Sequence, residues 1–516
     1  MNRRDFVASI NSLAALRLLN SRAAQGLSGA DPDALGSLAA RLAADPRRPQ
    51  FHLLPAANWM NDPNGPIYWK GKYHMFYQYN PDGAYWGNMH WGHAVSSDMV
   101  HWRHRPVALA PTAGGPDADG CFTGTAAVLN GRVTLLYTGV KAASRADATI
   151  KNSNPPYRET QCMAIASDDG LEAWSKLPAP VLDAPPPGLQ VTGFRDPSPW
   201  KQGDWWYMTI GSGIAGQGGA VLLYRSRDLQ SWQYMHLLAQ QSAGNAPFAG
   251  PADARVVWEC PEFFALNGRH VLIYSTAGKT CWQSGTLDQE QLIFHPEKTG
   301  FVDYGSFYAA KTQLDADGNR ILWGWIQESR PEAEYRAAGW ASMMSLPRRL
   351  SLSADGELQM SFAPQLAQLR GDKLPVNPHE IPTAMSSLRL KHCCGEVRIS
   401  ARKDSEPFQL SIGNHTAGAE PWLTIDHAPG PNGGLLIDGR PLPNFVSDQD
   451  KITLHFYMDG SVIELLVNDS YSLTRRFYFS GDTAPDAGIH YGAGWHAFDS
   501  LDCWQIHPIS RDRLTS

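Results

Sequence analysis

Gly71-Lys72-Tyr73-His74-Met75-Phe76-Tyr77 is a turn glycine followed by an apolar, aromatic-rich run, and the chain repeats that pattern five times. The other copies are Gly131 to Tyr137, Gly203 to Ile210, Gly268 to Tyr274 and Gly318 to Trp325, at intervals of 60, 72, 65 and 50 residues by subtraction. Each glycine stands in a polar turn between two strand-like runs, as in Val128-Leu129-Asn130-Gly131-Arg132-Val133, which is a hairpin signal. A unit of several strands repeated five times, with no long helical pattern between units, predicts an all-β fold: a five-bladed β-propeller. A second echo trails three of the hairpins. Ser97-Asp98 with Trp102 is answered by Ser167-Asp168 with Trp174, and by Ser226-Arg227-Asp228 with Trp232, which reads as a repeated outer turn with an aromatic lid.

Outward from the repeats, the character of the chain changes after Pro347-Arg348-Arg349. The propeller is expected over residues 51–355, and a short helical or linker passage over 356–372. Alternating runs follow: Glu396 to Ser400, Phe408 to Ile412 and Trp422 to Ile425. A hairpin from Lys451 to Val467 turns at Asp459-Gly460. These predict a β-sandwich over 373–516, with a structural or accessory role. Two domains agree with a length of 516 residues, too many for one ordinary core.

The N-terminus, Asn2-Arg3-Arg4-Asp5-Phe6 and a weakly apolar stretch to about Leu19, resembles a twin-arginine export signal over residues 1–25, ahead of an extension over 26–50. Arg17 interrupts the apolar stretch, which argues against a membrane anchor. A formal charge of −6 argues against nucleic acid or an anionic membrane as partner. Seven cysteines, an odd number without metal-ligand spacing, do not imply a disulfide framework. The 18 tryptophans divide between core packing and stacking on the apolar faces of sugars.

Three acids sit on rigid turns beside aromatics, a cation or prolines: Asp62 in Trp59-Met60-Asn61-Asp62-Pro63-Asn64-Gly65, Asp196 in Phe194-Arg195-Asp196-Pro197, and Glu259 in Trp258-Glu259-Cys260-Pro261. Glycoside hydrolysis uses paired acids, one on the leaving oxygen and one at the anomeric carbon. Asp62, Asp119, Asp196, Glu259 and Asp303 precede the five repeat glycines by 9, 12, 7, 9 and 15 residues, by subtraction. If they begin the inner strands of a propeller, they converge on one axial pocket.

Seven stretches, in order, resemble glycoside hydrolase family 32, the invertase, levanase and inulinase family. They are Trp59 to Gly65, Phe122-Thr123-Gly124, Arg195-Asp196-Pro197, Glu259-Cys260-Pro261, Asp303-Tyr304-Gly305 with Phe307-Tyr308-Ala309, Gly324 to Glu328, and Ser345-Leu346-Pro347-Arg348. The resemblance covers most of the chain. It implies a five-bladed propeller followed by a β-sandwich, fructose-ended substrates and a retaining mechanism. By motif it makes Asp62 the nucleophile, Glu259 the general acid/base and Asp196, beside Arg195, the transition-state stabiliser. Asn61, Gln78, Trp86, Phe122, Thr123, Arg195, Asp303 and Trp325 match positions that bind the fructose unit. Phe122-Thr123-Gly124 departs from the family's more usual Trp-Ser-Gly or Phe-Ser-Gly, a change expected to alter fit rather than chemistry.

In that chemistry Glu259 must be protonated to assist departure of the leaving oxygen, and Asp62 must be ionised to attack C2 of fructose. No cofactor or metal is expected. His90, His93, His101 and His104 carry His-x-x-His spacing twice, but i and i+3 on a strand face opposite ways. Tyr157, Arg158 and Glu159 read as a solvated loop near the pocket rim. A fructosyltransferase, or a fructan-binding protein without catalysis, stays open as an alternative. So does the choice among sucrose, inulin and levan, and the oligomeric state.

Overall fold

In a computed structural model of the chain, the described residues are 32–151, 153, 155–241, 256–376, 387–402, 404–415, 420–429, 434–442, 451–491 and 497–510. The expected export signal over 1–25 lies outside them. The chain is nearly all β. Between Asn58 and Phe362 it forms five antiparallel sheets, each built on consecutive strands. The first strands of these sheets are Asn58–Trp69, Gly120–Leu129, Val191–Gln202, Glu259–Leu266 and Phe307–Leu314. Each packs against the next in order, and the last packs against the first, so they form a closed ring. Trp340–Ala341, from beyond the fifth sheet's second strand, lies parallel to Asn58-Trp59 and stitches the end of the ring to its start.

The five repeat glycines each stand in the turn between the first and second strands of a sheet. Lys70-Gly71, Asn130-Gly131 and Asn267-Gly268 all have positive φ at both positions (46° and 80°, 50° and 74°, 47° and 80°). That is the two-residue hairpin whose twist suits the flanking strands, and glycine occupies its second position without strain. The outer echo is also a single device. The indole N–H groups of Trp102, Trp174 and Trp232 donate to the carbonyls of Met99, Leu171 and Leu229, three residues back. Those three residues hold left-handed φ of 67°, 58° and 61°.

Residues 356–372, expected as a short helical or linker passage, divide between two strands and one helical turn. Leu358–Phe362 is the outer strand of the fifth sheet, Pro364–Leu369 is a 3₁₀ turn, and Arg370–Lys373 joins the next sheet. The apolar alternation Leu358, Met360, Phe362 buries one face of that outer strand. Beyond it lie two six-stranded antiparallel sheets whose inner faces share one core, including Val397, Ile399, Leu410, Ile412, Leu454, Phe456 and Ile489. In the extension over 26–50, Pro32–Ala44 is a helix, with Leu38 and Leu42 packed against Trp340, Met343 and Val462.

A buried polar network joins the five small sheets to this C-terminal pair. Arg348 donates to Glu464 (2.5 Å), Ser472 (2.7 Å), Thr474 (2.9 Å) and Asp303 (3.2 Å). His52 lies between Asp459 (2.8 Å) and Glu464 (2.9 Å). Burial alone would lower the His52 pKa, but hydrogen bonds and charge from Asp459 and Glu464 raise it to about 9. Glu464 is also penalised by burial, yet Arg348 and His52 hold it below the usual carboxylate range.

Candidate active site

Each first strand carries a bulge at the same place. Its pairing to the second strand advances three residues against two, at Met60 to Pro63, Cys121 to Gly124, Arg195 to Ser198, Glu259 to Glu262 and Tyr308 to Lys311. A bulge turns side chains away from the sheet's regular alternation. Pro63, Pro197 and Pro261 suit a place where the ladder is interrupted and an N–H is not needed. Asp196, Cys260 and Ala309 hold φ of 63°, 50° and 54°, a left-handed conformation that costs a residue with a Cβ about 1–3 kcal/mol. Gly65 brings the first strand against the second sheet: a Cβ there would lie 2.9 Å from the backbone nitrogen of Ala126.

These bulges bring Asp62, Asp196 and Glu259 into one cluster. The Cys260 thiol sits between the first two, its Sγ 3.5 Å from Asp62 Oδ2 and 3.6 Å from Asp196 Oδ2. The Cys260 amide donates to Asp196 Oδ2 at 2.8 Å. Asp62 accepts from Thr123 Oγ1 (2.6 Å) and Asn61 Nδ2 (3.0 Å). Behind it, Gln78 accepts from Asn61 (3.0 Å) and donates to Thr123 (2.5 Å), while Trp59 donates to Asn61 (2.8 Å). Asn61, Gln78 and Thr123 therefore form one hydrogen-bonded brace around the Asp62 carboxylate. Glu259 accepts from Tyr308 OH at 2.6 Å and from Arg195 at 3.2 Å.

Aromatic walls flank the acids. Trp86 meets Phe122 edge to face at 5.9 Å, and Trp325 meets Trp59 at 6.0 Å and Tyr308 at 6.2 Å. Below the acids, Lys311 donates to Glu262 and Thr125, both at 3.0 Å, while Glu262 also accepts from Ser198 (2.7 Å) and Thr312 (2.8 Å). One buried ion pair thereby ties together four of the five first strands.

Burial is the largest influence on the carboxylates. It raises the pKa of Asp62 despite hydrogen bonds from Thr123 and Asn61, and raises that of Asp196 despite Arg195. Glu259 is likewise raised, by burial and then Asp196, against the opposing pull of Arg195 and Tyr308. Acids this close titrate as a set rather than singly.

Asp303 does not join the cluster, and its expected place in the fructose pocket is corrected. It is fully buried and bonded to Ser472 (2.6 Å), Thr474 (2.7 Å) and Arg348, so it belongs to the junction with the C-terminal sheets. Asp119 also stands apart, accepting from the Ala142 amide. The hairpin glycine supplies the missing signal. The acids that converge precede it by 7 to 9 residues, and the two that do not by 12 and 15, by subtraction. Thr123 lies 8 residues before Gly131.

Glu159 was expected in a solvated loop, but it is fully buried in the strand Tyr157–Ala166. It pairs with Arg195 Nε at 2.8 Å and accepts from the Phe194 amide at 2.6 Å. Tyr308 and Lys311 were likewise given no role by their sequence. His90, His93, His101 and His104 go to four separate partners: Asn88, His74, Asp98 and Tyr77. All seven cysteines are buried.

Residues 52–363 match the model of the glycosyl hydrolases family 32 N-terminal domain. The chain is 35% identical to a sucrose-6-phosphate hydrolase of Zymomonas mobilis subsp. mobilis, over 94% of this chain and 97% of that protein. A variant of a GH32 beta-fructofuranosidase from Bombyx mori, solved in complex with sucrose, superimposes with a TM-score of 0.73 at 28% identity, covering 92% of this chain and 98% of that one. A variant of fructan 1-exohydrolase IIa from Cichorium intybus, in complex with 1-kestose, gives 0.73 at 25% identity, covering 90% and 98%.

Proposed function

The chain belongs to glycosyl hydrolase family 32 and is a glycosidase that cleaves β-fructofuranosidic bonds, and we propose that it does so with retention, through a fructosyl ester on Asp62. The convergence of Asp62, Asp196 and Glu259 around Cys260 carries this reading.

Asp62 attacks C2 of the fructosyl unit while Glu259, protonated, gives its proton to the departing oxygen. Water then enters, Glu259 takes a proton from it, and the ester on Asp62 is cleaved. Asp196, held by the Cys260 amide and next to Arg195, accepts from fructose hydroxyls and binds them more tightly as the ring flattens. Asn61, Gln78 and Thr123 orient the nucleophile, and Trp86, Phe122 and Trp325 form the pocket wall. The Trp325 indole N–H, buried without a hydrogen-bond acceptor among the described residues, suits a sugar hydroxyl.

The five small sheets are the blades of a propeller and the two large ones a sandwich. The closed ring of first strands supports the first of these, and the shared core the second. Fructose-ended saccharides, among them sucrose and fructo-oligosaccharides such as 1-kestose, are the substrate class, in keeping with the sugars bound by the related structures. The segment Arg3-Arg4 with its apolar continuation supports export, which fractionation of a producing cell tests directly.

Separate incubation with sucrose, inulin and levan, with chromatography of products over time, tests the function. Release of free fructose is expected. Predominantly longer or cyclic products would make the protein a transferase, and no products at all would make it a binder.

A further inference from the structure

Phe194, Arg195 and Asp196 lie on the edge strand of the third sheet, which pairs with Trp205–Ile214 on one side and has no strand of that sheet on the other. Side chains of the second sheet take that place. Gln161 Nε2 donates to the Phe194 carbonyl (2.7 Å), and the Phe194 amide donates to Glu159 Oε2 (2.6 Å). The Asp196 amide donates to Thr138 Oγ1 (2.9 Å), which itself donates to Gln161 Oε1 (3.0 Å). Alternation along Tyr157–Ala166 aims Tyr157, Glu159 and Gln161 at this edge, while Arg158 points the other way to Asp183. The other Glu159 oxygen meets Arg195 Nε at 2.8 Å, and the far end of the same guanidinium reaches Glu259 Oε1 at 3.2 Å.

We infer that Glu159 is a positioning residue for the acid/base step, fixing the Arg195 guanidinium and dividing its charge between two carboxylates. The inference rests on the proposed role of Glu259. Glu159 is fully buried and is placed to act through Arg195 rather than on a substrate. The groups facing this chain of charges are Tyr157, Tyr308, Asp196 and Asp62, with Lys311 behind Asp196. An Arg195 committed wholly to Glu259 would favour that carboxylate and withdraw the proton that departure of the leaving oxygen needs. Shared with Glu159, the same cation orients Glu259 and still leaves it an acid. Burial, the largest influence on Glu259, is then free to hold its pKa up.

Glu159→Gln keeps the shape and an oxygen for the Phe194 amide but removes the charge. The readout is the pH profile of kcat/KM on whichever of sucrose, inulin or levan is turned over best. The alkaline limb should move to lower pH by about one unit, as expected for one nearby charge at an intermediate dielectric. Glu159→Asp keeps the charge while shortening the reach. It should lower kcat several-fold and leave the limb within about 0.3 unit of wild type. An unmoved limb in Glu159→Gln would overturn the inference. Should that variant not fold, Glu159→Asp still decides, because a limb displaced by a full unit with the charge retained would overturn it too. Glu259→Gln in the same series tests the underlying reading separately. It should lose the alkaline limb, and a limb that persists there removes Glu259 as the acid whatever Glu159 does.

Discussion

The cluster of Asp62, Asp196 and Glu259, in which Asp62 and Glu259 are half-buried, and the fully buried cluster of Asp303, Arg348, Glu464 and His52 treat charge in opposite ways. At the junction with the C-terminal sheets, each carboxylate has a close cation or several donors. Glu464 is held below its ordinary range, and His52 above its own. In the pocket, acids outnumber the cations that reach them, and Asp62, Asp196 and Glu259 are all raised. A balanced cluster ties two parts of a molecule together. An unbalanced one is costly to fold and shifts its acids toward the protonated form, the kind of perturbation that marks functional sites.

The widest separation between the two should come from truncating the acids. Asp62→Ala and Glu259→Ala are each expected to lose at least about a thousandfold in kcat while unfolding no earlier than wild type, which thermal melts and steady-state kinetics check together. Near-normal turnover in either would remove it from the mechanism.

The converse test lies at the junction. Arg348→Met leaves Asp303 and Glu464 buried without their shared cation, at a cost of about 3–5 kcal/mol in denaturant unfolding. The activity of the folded fraction should stay within a few-fold of wild type. Loss of activity without loss of stability would place Arg348 with the pocket. Asp303→Asn is milder, about 1–3 kcal/mol, with an unchanged KM. A raised KM at full stability would restore Asp303 to the fructose pocket.

The smallest effect concerns pH. A carboxylate whose folded pKa is raised stabilises the fold at low pH, and that contribution is lost as pH climbs past its unfolded value of 3.8 for Asp196. Asp196→Asn should therefore gain about 0.5–2 kcal/mol near neutral pH while losing activity. Glu464, being depressed, contributes above its unfolded value of 4.5 and is lost as pH falls through its folded pKa. His52 contributes fully below 6.5 and is lost as pH rises through about 9. Stability curves against pH for wild type and Asp196→Asn should diverge upward from the carboxylate range. Parallel curves would contradict the contrast.

Much of this was legible in the chain. Five glycines marked five hairpins because each takes the positive φ that a tight turn asks for, and three acids at near-constant distance before those glycines fell on the same bulge. Asp303 misled because its motif, Asp303-Tyr304-Gly305, lies next to Phe307-Tyr308-Ala309, which does reach the pocket. An offset of 15 residues was the warning. Glu159 could not be read as buried, since Tyr157-Arg158-Glu159 carries the polarity of a loop while its partner Arg195 is 36 residues away by subtraction. The junction was invisible for the same reason: Arg348 and Glu464 are separated by 116 residues. A sequence displays turns and periods directly, but not which distant charges cancel.

The most direct test of the pocket is stereochemical. With methanol as acceptor, the methyl fructofuranoside released from sucrose or a fructan should be the β anomer, identified by NMR, because two successive inversions at C2, by Asp62 and then by methanol, restore the configuration. Formation of the α anomer would mean a single displacement by water or methanol, and would contradict a covalent role for Asp62.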